Sequence, residues 1–428
     1  MAAERLQGAR IQSALVLAIR VGGAVLQMLL VAVVALRFPI EAVGLNGLIW
    51  AIALVARMAG TFGLDVAGMR AQSPLWDEGR AQEAMALGRR DGAVLRRIWL
   101  VLGAVGLAAA AAVQLGGGRG EWVVMGLLVA AASASSRLHL VQRTARRRPL
   151  TGQLLESAVL PGLGLIAALI ASAAAPGLLI PGQVLCFLVV AVIRGRRAPS
   201  SGRRCEAAAI GPGELAPVPW RSALTMGAGS ALTALCVRGP MFVLGTRSLA
   251  MTGAFEVAQK VQSAGSMGTS AVATVYMPRI AMSVRHRARL ARLLAEAAIA
   301  SALIPVLLLV FLLALGEDRL VDLLGPEYRG AWLASVLMVA ATLVNALTSA
   351  SSNVLMLGGG ERAFTAISAV QLGVVVGGSW LAGTDTATGM AWWVLIGETL
   401  RAGAMTAGMV LHMRALGRTP PPVGATTA

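Results

Sequence analysis

The chain has 428 residues, of which 57% are hydrophobic and 13% charged, and a formal net charge of +17. That balance excludes a soluble globular domain. It also excludes a nucleic-acid module, because only 4% of residues are aromatic and the cations sit between apolar runs instead of interleaving with stacking rings.

Apolar runs of 18 to 25 residues recur along the chain, each long enough to cross a hydrocarbon core of about 30 Å. In chain order they predict spans at 12–36, 43–66, 98–115, 122–141, 150–173 and 176–193, and then at 221–245, 252–277, 293–316, 330–356, 363–382 and 390–411. Ten is the alternative count, because spans 3 and 6 are short and spans 5 and 6 almost touch. The first run is too long for a signal segment and carries Arg20, so it is expected to remain as a helix.

Span 1 holds Arg20 and span 2 holds Arg57, both about 3 to 6 Å to one side of their midpoints at 1.5 Å per residue. Neither run offers an acid before Asp65, which sits at a span end. Two readings fit this pair: an anion or water held between them in a cavity, or snorkelling toward headgroups. The following loop carries Arg80 to Arg97 in a helix-favouring stretch, expected to lie on an anionic membrane surface.

A basic, Pro-rich segment from 194 to 220 separates two groups of six spans. The predicted organisation is an N-terminal lobe at 1–193, a cytoplasmic connector at 194–220, a C-terminal lobe at 221–412 and a disordered cytoplasmic tail at 413–428. A short turn followed by a glycine recurs at Gly44 and Gly253, which is compatible with parallel repeats.

In the second group, span 7 carries Arg238, Gly239 and Pro240. The proline frees backbone groups and marks this helix as the candidate gate. Span 8 carries Lys260, the only lysine. Arg20, Arg57, Arg238 and Lys260 together form a candidate cationic ladder. Glu256 lies four residues before Lys260, and Glu398 three before Arg401, so each acid is equally readable as a local neutraliser.

With both termini inside, cytoplasmic segments hold 24 of the 37 cations and external segments hold five, the asymmetry expected of a cytoplasmic-membrane protein. The absence of a Gly-Lys phosphate loop excludes ATP hydrolysis by this chain. His139, His286 and His412 are too scattered for a metal site, and Cys186, Cys205 and Cys236 have no paired spacing. No cofactor is expected. A membrane glycosyltransferase is disfavoured because the longest external segment, 317–329, is small.

Three stretches resemble one family: Ala35-Leu36-Arg37-Phe38-Pro39-Ile40-Glu41-Ala42-Val43-Gly44-Leu45, Thr252-Gly253-Ala254-Phe255 with Ala258 and Lys260, and Leu323-Leu324-Gly325-Pro326-Glu327-Tyr328-Arg329-Gly330-Ala331. They are similar to polysaccharide flippases of the multidrug/oligosaccharidyl-lipid/polysaccharide exporter superfamily. The resemblance implies an all-α polytopic membrane protein with about twelve transmembrane helices in two six-helix lobes around a central cavity, in a bacterial cytoplasmic (inner) membrane. It implies a non-enzymatic flippase for an undecaprenyl-pyrophosphate-linked glycan, with Arg20, Arg57 and Lys260 at positions that meet the pyrophosphate. Pathway glycosyltransferases and a polymerase are the implied protein partners, and membrane lipids the surroundings. The alternatives are a cation-coupled drug or metabolite antiporter of the same fold, or a non-transporting scaffold in a glycan assembly complex. Span 1 lacks the carboxylate common in the antiporter branch.

Overall fold

The structure is a computed structural model that describes residues 2–115, 120–146, 150, 154–196, 220–283, 287–357 and 360–416. Every regular element among them is helical. Of the predicted connector at 194–220, residues 197–219 lie outside the described residues while its ends belong to flanking helices; of the predicted tail at 413–428, residues 413–416 continue the last helix and the rest lie outside, as does most of the 147–153 segment.

Fourteen helices account for the described chain. The first group comprises α1 (Ala2–Arg37), α2 (Ile40–Ala59), α3 (Leu64–Asp77), α4 (Ala81–Leu115), α5 (Gly120–Ala145), α6 (Leu160–Ala174) and α7 (Leu179–Arg196). There follow α8 (Trp220–Gly245), α9 (Leu249–Ser283), α10 (Arg287–Leu324), α11 (Ala331–Leu357), α12 (Glu361–Leu372), α13 (Gly378–Leu381) and α14 (Ala387–Leu416). Five-residue π-turns lead into α6 at Leu155–Val159 and join α12 to α13 at Gly373–Gly377.

Among the described residues, ten helical segments are long and apolar enough to cross a membrane. Two more, α1 and α9, have 36 and 35 residues, a length of more than 50 Å at 1.5 Å per residue. The described apolar part of α1 is Val25–Arg37, and α9 carries Glu256, Gln259, Lys260 and Gln262.

Two expectations about loops change. The basic stretch 81–97 does not form a separate surface helix. It runs without interruption into the apolar part of α4, burying Ala84, Leu87 and Leu95, and Leu95 packs with Leu64 and Leu138. The segment read as an external loop at 317–329 is helical as far as Leu324, after a break at Gly316, whose φ is 73°.

The chain forms two compact units, Met1–Glu256 and Val257–Ala428, which divide inside α9. In the first, α2 packs against α5 and α8, and α1 against α6, while α3, α4 and α5 pack on one another. The start of α2 also meets the start of α9. A Cβ on Gly44 would land on the Leu249 carbonyl oxygen, and one on Gly253 would land on the Ile40 carbonyl oxygen. The two glycines read from the sequence as equivalent positions therefore meet each other at a backbone-to-backbone crossing. In the second unit, α11 packs against α10 and α14, and a core of Ile280, Leu290, Ala297, Ala350 and Val354 forms beside them.

Candidate functional site

The candidate site begins where α2 ends. Arg57 occupies the last turn of that helix, and the chain then breaks through Gly60, Thr61, Phe62 and Gly63. Phe62 and Gly63 have φ of 51° and 74°, the left-handed region that an aromatic residue rarely enters. Three contacts hold this corner. The Thr61 hydroxyl donates to Asp65 Oδ1 at 2.9 Å, Arg137 Nε donates to Asp65 Oδ2 at 3.0 Å, and Trp99 Nε1 donates to the Gly60 carbonyl at 3.1 Å. Gly63 lies directly against the Ala223 backbone of α8, with no room for a side chain. The corner thus pins the end of α2 to α5, α4 and α8, and with it the turn that presents Arg57.

Asp65 was read from the sequence as a span-end residue without a role, and Arg137 was not singled out. In the fold Asp65 is only 2% exposed and joins two helices. Asp65→Asn is expected to lower stability by about 2 to 3 kcal/mol, since it weakens the charged bond to Arg137 at a buried site. Arg137→Gln should cost at least as much, because it leaves the 2%-exposed Asp65 carboxylate without its cation, whereas the 28%-exposed Arg137 reaches solvent. Denaturation of the detergent-solubilised variants measures both.

One turn of α8 brings the second cation. Arg238 is 7% exposed, and its Nη1 lies 3.4 Å from Glu256 Oε2 on α9 and 3.6 Å from the Met241 sulfur. Glu256 itself is fully buried. It fits because α2 carries Gly47 at the contact: a Cβ there would stand 2.9 Å from the Glu256 side chain and closer still to Met241. Arg57 is near enough that its charge acts on Arg238. Helices α2, α8 and α9 therefore bring Arg57, Arg238 and Glu256 into one neighbourhood in the first unit.

The other predicted cations are placed as follows. Lys260 lies on α9 one turn beyond Glu256, inside the second unit, and is buried. Arg20 lies on α1, but its side chain is outside the described residues. Gly239 and Pro240 are buried within α8, which remains helical through them. Glu256 is the residue that local spacing assigned only to Lys260; its bond to Arg238 spans 18 residues of sequence.

The second acid pair has a different character. Glu398 accepts from Arg401 at 2.9 Å and from Gln371 at 2.8 Å, and Arg401 also donates to Asn345 at 3.1 Å. Both carboxylate oxygens are bonded, and the network ties α11, α12 and α14 together just before the π-turn at Gly373. This is a cross-link with little capacity left for a ligand. Among the described residues no group of three or more His, Cys, Asp or Glu side chains gathers to hold a metal.

No protein-family model matches the sequence, and no curated protein matches it. Solved structures do. The chain is similar to the inward-facing conformation of a multidrug resistance MATE family transporter of the MOP superfamily, with 15% identity, a TM-score of 0.68 and coverage of 93% of this chain and 96% of that one. It is similar to a MATE protein in complex with MaL6, with 14% identity, a TM-score of 0.66 and coverage of 95% and 97%. The outward-facing conformation of a multidrug resistance MATE family transporter gives 14%, 0.63, 95% and 96%. At these identities the likeness is one of fold: an all-helical membrane fold of twelve spans in two lobes.

Proposed function

We propose that the protein is a transporter that flips an undecaprenyl-pyrophosphate-type lipid-linked oligosaccharide or polysaccharide precursor across a bacterial cytoplasmic membrane by alternating access. The observation that carries this reading is the buried Arg238–Glu256 contact, with Arg57 close to it, inside the helices of a membrane protein. Buried charge inside a membrane protein is expensive and usually serves a polar pathway or ligand, and guanidiniums suit a phosphate-bearing one. In this reading Arg20, Arg57, Arg238 and Lys260 contact the anionic headgroup, and the segment at Gly239 and Pro240 is the gate. The MATE-like fold supports transport as the general activity.

The test is reconstitution into vesicles carrying a fluorescent undecaprenyl-pyrophosphate disaccharide, with flux read by its exposure to an external quencher. Arg20→Gln with Arg57→Gln is expected to lower flux by at least tenfold while the melting temperature in detergent holds. Unchanged flux in a folded double variant removes both arginines from the site.

A second reading, a cation-coupled drug or metabolite antiporter, is favoured by one observation, the fully buried carboxylate of Glu256. The two structural neighbours named above by conformation are multidrug resistance transporters. The same vesicles distinguish the two. Uphill efflux of a lipophilic cation driven by a proton or sodium gradient, abolished in Glu256→Gln, selects the antiporter; gradient-independent movement of the glycolipid selects the flippase.

A further inference from the structure

We infer that α4 carries a docking site for one anionic phospholipid on its outer face, with the phosphate held by Arg96 and Arg97 and the acyl chains laid along Leu100, Ala104, Leu107 and Ala111. The inference rests on the helix register and on where the protein leaves this helix uncovered.

At 100° per residue, Arg89, Arg96, Leu100, Leu107 and Ala111 fall within a stripe about 60° wide, with Arg97 and Ala104 at its edge. Away from the stripe, Ala84, Leu87, Asp91, Leu95 and Gly106 are buried, with Gly106 closing on the Leu127 side chain of α5, while Val101 and Val105 are also exposed. Among the described residues the stripe faces no protein. Leu100 is 74% exposed and Leu107 58%, and Arg89, Arg96 and Arg97 are exposed.

None of these three arginines has a carboxylate partner among the described residues. Their neighbours do: Arg90 is bonded to Asp91, and Arg80 to both Glu78 and Glu83. The described acids of this region, Glu78, Glu83 and Asp91, are thus engaged by arginines off the stripe, and among the described residues the stripe arginines face no carboxylate. Because α4 continues unbroken from Ala81 to Leu115, the cations stand one turn above the first lipid-facing leucine. That is the order of an anionic phospholipid, charge outside and hydrocarbon inside. A neutral lipid satisfies the hydrocarbon half but leaves the guanidiniums without an anion. A protein partner would need carboxylates placed at the headgroup level.

The site is tested on the intact protein in nanodiscs of equal phosphatidylglycerol and phosphatidylcholine with matched chains, by counting retained lipids in native mass spectrometry. The wild type is expected to retain phosphatidylglycerol preferentially, and Arg96→Gln with Arg97→Gln to lower that preference by about 25-fold, at roughly fivefold per cation near a membrane surface. Arg80→Gln, whose charge is held by two glutamates, should leave it unchanged. Raising the salt from 0.05 to 0.5 M should erode the wild-type preference, since exposed charges are screened. The inference fails if the folded double variant keeps the wild-type preference, if the preference ignores salt, or if a photocrosslinker at Leu107 captures a polypeptide in native membranes instead of lipid.

Discussion

Gly44→Val and Gly253→Val are each expected to remove most folded protein from the membrane fraction. The reason lies in what the glycines touch. A Cβ on either residue falls on a backbone carbonyl of the facing helix, Leu249 for Gly44 and Ile40 for Gly253. A flexible side chain can rotate away from an intruding methyl, whereas a carbonyl moves only with its helix. The starts of α2 and α9 must therefore separate, which disturbs the Glu256 contact at Gly47 one turn along α2. Overpacking a tight site costs about 1 to 3 kcal/mol for small intrusions, and a branched side chain against backbone belongs at or above the top of that range. Gly44→Ala should lie near 2 to 3 kcal/mol. Gly22→Ala is the control, since nothing lies within 4 Å of a Cβ there, and it should be neutral or stabilising by up to about 1 kcal/mol. Thermal unfolding in detergent ranks the set. Equal melting temperatures for Gly44→Ala and Gly22→Ala would show that the crossing is not close.

Hydropathy made the helices legible because lipid imposes length and composition directly on each span. What it left out follows from the same physics. The basic residues from Arg89 to Arg97 mark the end of an apolar run in the sequence, but no proline interrupts 81–115, and the helix of α4 does not end there. Gly44 and Gly253 were readable as equivalent positions, whereas their contact depends on how two helices cross, which no periodicity encodes. Glu256 had Lys260 four residues away as an evident local partner, and the structure gives it Arg238 from a neighbouring helix as well. Asp65 and Arg137 are 72 residues apart, each near a span end, where snorkelling explains a charge without any partner. The cation at Arg57 could be singled out because its own span offers no acid within reach. That rule reads one span at a time and misses partners that lie on another helix.

The buried pair gives the second large effect. In Glu256→Gln, Arg238 loses the carboxylate facing it while remaining 7% exposed, and removing one member of a buried ion pair costs about 3 to 5 kcal/mol. Arg238→Met should cost less, because Glu256 keeps Lys260 at four residues along its own helix, a spacing that allows the two to interact. The combined variant, Arg238→Met with Glu256→Gln, should recover much of the loss of Glu256→Gln, since it leaves no guanidinium stranded and replaces it with a side chain suited to Met241. A double-mutant cycle on unfolding in detergent therefore predicts a coupling above 1 kcal/mol, well outside the few tenths typical of independent sites. An additive cycle would mean that the 3.4 Å contact contributes nothing and that each charge is balanced elsewhere. The flux assay then separates fold from function. Restored stability with transport still reduced by tenfold or more places the Arg238 charge in the substrate path, whereas full recovery of both assigns the pair to holding α8 against α9.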